Sequence, residues 1–157
     1  MDHLLAFLPG IALPVYRWVT FLGLLGIGSV VAVIDWHTRR IPNRWMIGSA
    51  AAFLMWQGAA GHLWAALWGG LLAVSLSLTA RAITRGLGMG DVKYFGVVGL
   101  ALGPLGALAA MGITSGGAVV EGLVRVLWHR GALSEPRPLG PWIAAGSVLV
   151  AWVFVVR

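Results

Sequence analysis

An all-α, polytopic membrane protein with about six transmembrane helices is the fold class predicted by three features: strong hydrophobicity, sparse charge, and long uncharged runs between the charges. Hydrophobic residues make up 59% of the 157 and charged residues 10%, against about 45–50% and about 25% in a soluble domain. Uncharged runs extend from Trp18 to Ile34, Trp45 to Ala80, Tyr94 to Val120 and Pro138 to Val156. A helical span needs about 20 apolar residues. The first and last runs therefore hold one helix each, and the second holds two, turning at Gly58, Ala59, Ala60, Gly61 and His62.

The basic residues orient these spans. Arg39, Arg40 and Arg44 follow the first, Arg81, Arg85 and Lys93 follow the third, and Arg125, Arg130 and Arg137 follow the region 94–128. The turns at 58–62 and at Gly103-Pro104 carry no Lys or Arg, so the three basic loops are expected to be cytoplasmic. With basic loops at both ends, the region 92–128 must cross and return. Gly103-Pro104 is its natural break, because proline removes a helical hydrogen bond and glycine tolerates a turn.

The predicted spans are 18–36, 44–60, 62–80, 92–103, 105–128 and 139–156, in one domain over 1–157 with both termini outside. Residues 1–14 are expected to form an interfacial or re-entrant lead-in. Gly99 with Gly103, and Gly112 with Gly116, have the spacing that lets helix backbones approach closely. Trp18, Trp36, Trp45 and Trp142 fall at span ends and read as interfacial anchors.

Several function classes drop out. The net charge of +6 comes from residues dispersed between apolar segments, which suits membrane orientation and not nucleic-acid binding. There is no cysteine, and His3, His37, His62 and His129 lack ligand-like spacing, so neither a metal nor another cofactor is expected. The segments between spans are too short for a soluble domain, which confines the chemistry to the bilayer or its surface.

Of the five carboxylates, Asp2 and Glu135 sit in exposed segments, leaving Asp35, Asp91 and Glu121. An ionisable side chain at membrane depth costs about 2.5–3.5 kcal/mol on insertion scales and is a functional candidate by default. Asp35 ends the first span, where the helix macrodipole disfavours a carboxylate; a plainer role is pairing with Arg39 at i+4. Asp91 closes Gly86-Leu87-Gly88-Met89-Gly90-Asp91 and opens the fourth span, where a plainer role is an N-cap. The three glycines predict irregular backbone beside a wet recess.

Topology joins the two aspartates, since the first span ends on the inside at Asp35 and the fourth begins there at Asp91. Two carboxylates brought together in a partly desolvated recess share a proton, the arrangement by which aspartyl proteases activate water. The helix ends are expected to favour the proton on Asp35 and to leave Asp91 as the base. Glu121 reads as an internal ion pair with Arg125 at i+4, and Lys93 as a side chain snorkelling to the surface.

The stretch Asp35-Trp36-His37-Thr38-Arg39-Arg40-Ile41-Pro42-Asn43, together with Gly88-Met89-Gly90-Asp91-Val92-Lys93 and Arg137-Pro138-Leu139-Gly140-Pro141, resembles the type IV prepilin peptidases. The resemblance implies removal of short basic leader peptides from prepilins or pseudopilins at the cytoplasmic face, just before their hydrophobic segment. It assigns catalysis to Asp35 and Asp91, an active-site loop to Gly88, Met89 and Gly90, and support to Pro42, Asn43 and Lys93. It implies a bacterial or archaeal inner membrane, with leader peptides and the lipid bilayer as partners. Lacking the N-terminal cytoplasmic domain and cysteine tetrad of longer members, the sequence resembles the short, peptidase-only form without N-methylation. Two alternatives come from other classes: a small transporter or proton channel relaying protons through the carboxylates, and an assembly subunit held by its glycines. A third is proteolytic, because Gly-x-Gly-Asp is similar to the signature of presenilin-like intramembrane proteases, which cut within spanning helices.

Overall fold

Long apolar runs with no water to bond their backbone must satisfy every N–H and C=O internally, and helices do so. The computed structural model describes residues 8–38, 42–84, 87–129 and 140–153. Its helices are α1 (Leu8–Thr38), α2 (Asn43–Ala59), α3 (Leu63–Thr84), α4 (Met89–His129) and α5 (Gly140–Ala151). Among the described residues, Pro14–Thr38, Leu63–Thr84 and Met89–Val124 are long and apolar enough to cross a bilayer, and Pro141–Ala151 is a shorter apolar helix. Trp64, Ile83, Leu105 and Leu127 are each at least 70% exposed, a surface that lipid covers and water would not. The chain is an all-α membrane protein.

α1 starts earlier than the sequence suggests. Residues 8–14 are helical and continuous with the span that follows. Pro9 falls in the first turn, where its missing N–H breaks no intrahelical bond, and Pro14 is carried inside the helix. Residues 1–7 and Arg39, Arg40, Arg85, Arg130 and Arg137 lie outside the described residues.

The expected break in α4 is present: Gly103 has φ 70° and ψ −175°, in the left-handed half of backbone space that glycine enters without strain. The contacts on either side show that the chain turns back there. Before the break α4 runs antiparallel to α3, with Gly96 against Val74, Gly99 against Gly69 and Gly103 near Ala65. After it α4 runs antiparallel to α5, with Thr114 against Gly146 and Gly117 against Trp142. α5 in turn runs antiparallel to α1, from Ala144 on Gly28 to Trp152 on Phe21 and Trp18.

Glycine makes the α3–α4 seam possible. A Cβ on Gly69 would lie 2.6 Å from the Gly103 carbonyl carbon, and one on Gly99 would lie 2.6 Å from that of Gly69; backbones packed this closely have no room for a side chain. Gly112 and Gly116 do not repeat the device, since a Cβ on either meets nothing within 4 Å. They face outward on α4. Trp142 also departs from the anchoring role: it packs on Gly117 and its indole N–H donates to Glu121 at 2.6 Å. This bond ties α5 to α4 and gives the Glu121 carboxylate an interhelical partner, whereas the side chain of Arg125, its expected partner, is outside the described set.

The break creates a problem that one buried side chain solves. The carbonyl of Leu100 would ordinarily accept from residue 104, but Pro104 has no N–H, and that of Ala101 faces a donor beyond the broken turn. The Gln57 side chain, 2% exposed, donates to both, at 3.3 Å and 2.6 Å, while its Oε1 accepts from the Tyr16 hydroxyl at 2.9 Å. One amide therefore joins α1, α2 and α4. Replacing Gln57 with Leu leaves two carbonyls buried without this donor, and is expected to destabilise the bundle by about 1–3 kcal/mol, measured as a lower unfolding midpoint in detergent.

Candidate active site

Two helical stripes converge on the site. On α1 the buried residues Thr20, Leu24, Val31 and Asp35 share one face with Gly28, separated by three or four positions as one side of an α-helix requires. On α4 the corresponding stripe is Asp91, Tyr94, Phe95, Val98 and Ala101. The stripes meet where the Tyr94 hydroxyl lies 3.0 Å from where a Cβ on Gly28 would be, so the absent side chain sets the approach.

The two helices run antiparallel. Tyr16 and Thr20 of α1 sit beside Gln57 and Trp56 of α2, and Gln57 reaches Leu100 and Ala101, whereas Gly28 is level with Tyr94. Asp35 lies about 10 Å beyond Gly28 along α1, at the end where α4 begins with Asp91 in its first turn. Asp35 and Asp91 are 6% and 8% exposed. Both acids are thus nearly withdrawn from solvent at the same end of the bundle.

Asp91 is not the N-cap of α4. Met89 and Gly90 already belong to the first helical turn, so the irregular stretch is shorter than the glycine spacing suggests. The Val92 N–H donates to the Gly88 carbonyl at 3.3 Å, and the Gly88 N–H donates to Asp91 Oδ2 at 3.1 Å. This is the acidic half of a capping box, in which a carboxylate three positions into the helix reaches back to the capping residue. The bond fixes the rotamer of Asp91, and a Cβ on Gly88 would sit 3.0 Å from the same oxygen. The Arg81 guanidinium donates to the Leu87 carbonyl, tying the α3–α4 connection from the other side. Sequence reasoning used Arg81 only for topology, and a backbone acceptor across a loop leaves no periodic signal.

The supporting residues meet each other and turn away from the acids. Pro42, at φ −66° and ψ 132°, is the N-cap of α2, and its carbonyl accepts from the Trp45 N–H at 3.1 Å. Asn43 is the next residue, and its Oδ1 accepts from Lys93 Nζ at 2.6 Å. Lys93 follows Asp91 by two positions, a rotation of about 200° on a helix, and so faces α2 with its ammonium exposed. The Pro-Asn and Gly-Asp-x-Lys motifs are therefore clipped together on the opposite flank of α4 from the carboxylates.

Fold and site define a helical membrane protein with a buried pair of carboxylates at one end of its bundle. Residues 22–154 match the Type IV leader peptidase family, and the chain belongs to that family. It is similar to the prepilin leader peptidase/N-methyltransferase of Bacillus subtilis, with 36% identity over 147 residues that cover 89% of this chain and 56% of that protein. It is also similar to leader peptidase HopD of Salmonella typhimurium, with 32% identity over 141 residues, 78% of this chain and 85% of that protein. The chain thus spans little more than half the length of the Bacillus relative. No solved structure matches it. The prepilin peptidase resemblance read from the motifs is borne out, and the transporter alternative finds no support in these matches.

The Asn43–Lys93 bond is exposed, so its net contribution to stability is small. A double-mutant cycle of Asn43→Ala and Lys93→Ala is expected to give a coupling energy below about 1 kcal/mol in detergent unfolding.

Proposed function

We propose that this chain is an aspartic endopeptidase that removes the short basic leader of prepilins or pseudopilins, with Asp35 and Asp91 as its catalytic pair. The observation that carries the reading is the placement of these two buried acids at one end of the bundle, on helices remote in sequence, in a family of leader peptidases. One carboxylate takes the proton of an attacking water while the other, protonated, donates to the scissile carbonyl. The capping bond from Gly88 holds Asp91 in place for that step. Gly88 leaves room around the carboxylate, with Met89 and Gly90 beside it.

The proposed setting is a bacterial or archaeal inner membrane crossed six times, with the acids at the cytoplasmic face. Among the described residues, Arg44, Arg81 and Lys93 lie at the end of the bundle that holds the acids and Arg17 at the other, the bias expected of an inward-facing end. The proposal covers cleavage and not methylation.

Co-expression with candidate prepilins or pseudopilins tests this directly. Asp35→Asn and Asp91→Asn are each expected to reduce leader removal by at least about 10²-fold on a gel-shift assay while keeping the wild-type unfolding midpoint. Full processing by either variant would overturn the paired mechanism. N-terminal mapping of the product should place the cut before the hydrophobic segment and find a free amine; a cut deep within that segment points to presenilin-like cleavage instead.

The pair works with one acid protonated and one ionised, so the rate is expected to fall at low pH, where both carry protons, and at high pH, where neither does. A bell-shaped profile of the purified enzyme checks this.

A further inference from the structure

A groove opens on the flank of α4 turned away from the acids, between α2, α3 and α4, with a volume of about 530 Å³. Its walls come from apolar residues such as Met46, Ala50, Leu71 and Val97, and Lys93 is the one charged residue among the described residues lining it. Lys93, Gly96, Val97 and Leu100 form a single stripe of α4 by their spacing. Lys93 lies in the first turns of that helix, at the end of the bundle where Arg44 is also exposed.

The geometry points to a binding site for an anionic phospholipid, with acyl chain in the groove and phosphate on the Lys93 ammonium. Charge supports this first: Asn43 Oδ1 takes one of the three N–H donors of Lys93, leaving two for a phosphate oxygen. Extent supports it next. The lining runs from Leu67 to Val74 on α3 and from Lys93 to Leu100 on α4, a length of about 10 Å, along which a hydrocarbon chain lies against apolar side chains with its headgroup at the Lys93 end. The walls are sides of closed helices, so an extended peptide would find few backbone partners for its own N–H and C=O groups. This inference stands apart from the peptidase reading, because the groove and the carboxylates face different sides of α4.

The chain has no cysteine, so Leu71→Cys introduces a single label position on the groove wall. The test uses this protein with a fluorophore at that position, in nanodiscs containing brominated phosphatidylglycerol or brominated phosphatidylcholine. Brominated phosphatidylglycerol is expected to quench at a mole fraction about fivefold lower, the preference that one lysine near a membrane surface confers. Lys93→Gln should abolish that preference and Lys93→Arg should retain it. Equal quenching by the two lipids, a preference that survives in Lys93→Gln, or its loss in Lys93→Arg would overturn the proposal. So would displacement of the brominated lipid by an apolar membrane-spanning peptide, or quenching that vanishes as a second copy of the chain covers the label.

Discussion

In hydrocarbon a backbone carbonyl without a donor has no water to fall back on, and the bundle is organised around the place where that constraint is hardest to meet. Gly103 and Pro104 turn α4 back on itself and strand the carbonyls of Leu100 and Ala101; the buried Gln57 amide satisfies both and holds Tyr16 as well. The turn leaves the first half of α4 to pack on the glycine seam of α3 and the second half to pack on α5. α5 then lies along α1, which closes the bundle and brings Gly28 onto Tyr94. Closing this circuit brings both acids to the same end of the bundle.

The first turns of α4 separate two tasks by rotation alone. Asp91 lies on the stripe that faces α1, held by a capping bond whose donor is the Gly88 backbone. Two positions on, Lys93 faces α2 and the apolar groove. A motif that reads as one unit along the chain therefore divides between a carboxylate site and a cationic rim. The bond from Lys93 to Asn43 matters for geometry more than for stability, since an exposed polar contact contributes little. It fixes where α2 begins against α4.

Small polar side chains buried between the helices bring few orphaned groups with them. The Ser49, Thr114 and Ser147 hydroxyls donate to carbonyls three or four positions back in their own helices, at 2.6, 2.7 and 2.9 Å, and Thr20 accepts from the Trp56 indole at 3.1 Å. Short side chains satisfied within their own turn let helices approach without exposing a polar atom to lipid. Tyr94 is the harder case. Its wholly buried hydroxyl has no hydrogen-bond partner among the described residues. The phenol serves as a spacer between α1, α4 and α5.

Much of this was readable beforehand, because hydrophobic length and charge placement act locally along the chain. The helices, the turn at Gly58–His62, the break at Gly103 and the placement of Asp35 and Asp91 at one end of the bundle all follow from apolar runs, basic loops and the alternation of direction they impose. What the sequence could not reveal depends on which helix faces which. Gly99 meets a neighbour while Gly112 and Gly116 meet none, though all fit the same spacing rule. Trp142 and Glu121 are joined across a helix interface, although each has a sensible local reading as an anchor and an i+4 pair. Asp91 sits inside the first turn instead of capping it, a difference of three residues made by one backbone bond. Composition and charge order determined by themselves that the chain is helical, membrane-bound and armed with two acids at one end. Tertiary structure alone decided the contacts among those elements, because rotation about a helix axis is set by the packing partner and leaves no mark in a run of apolar residues.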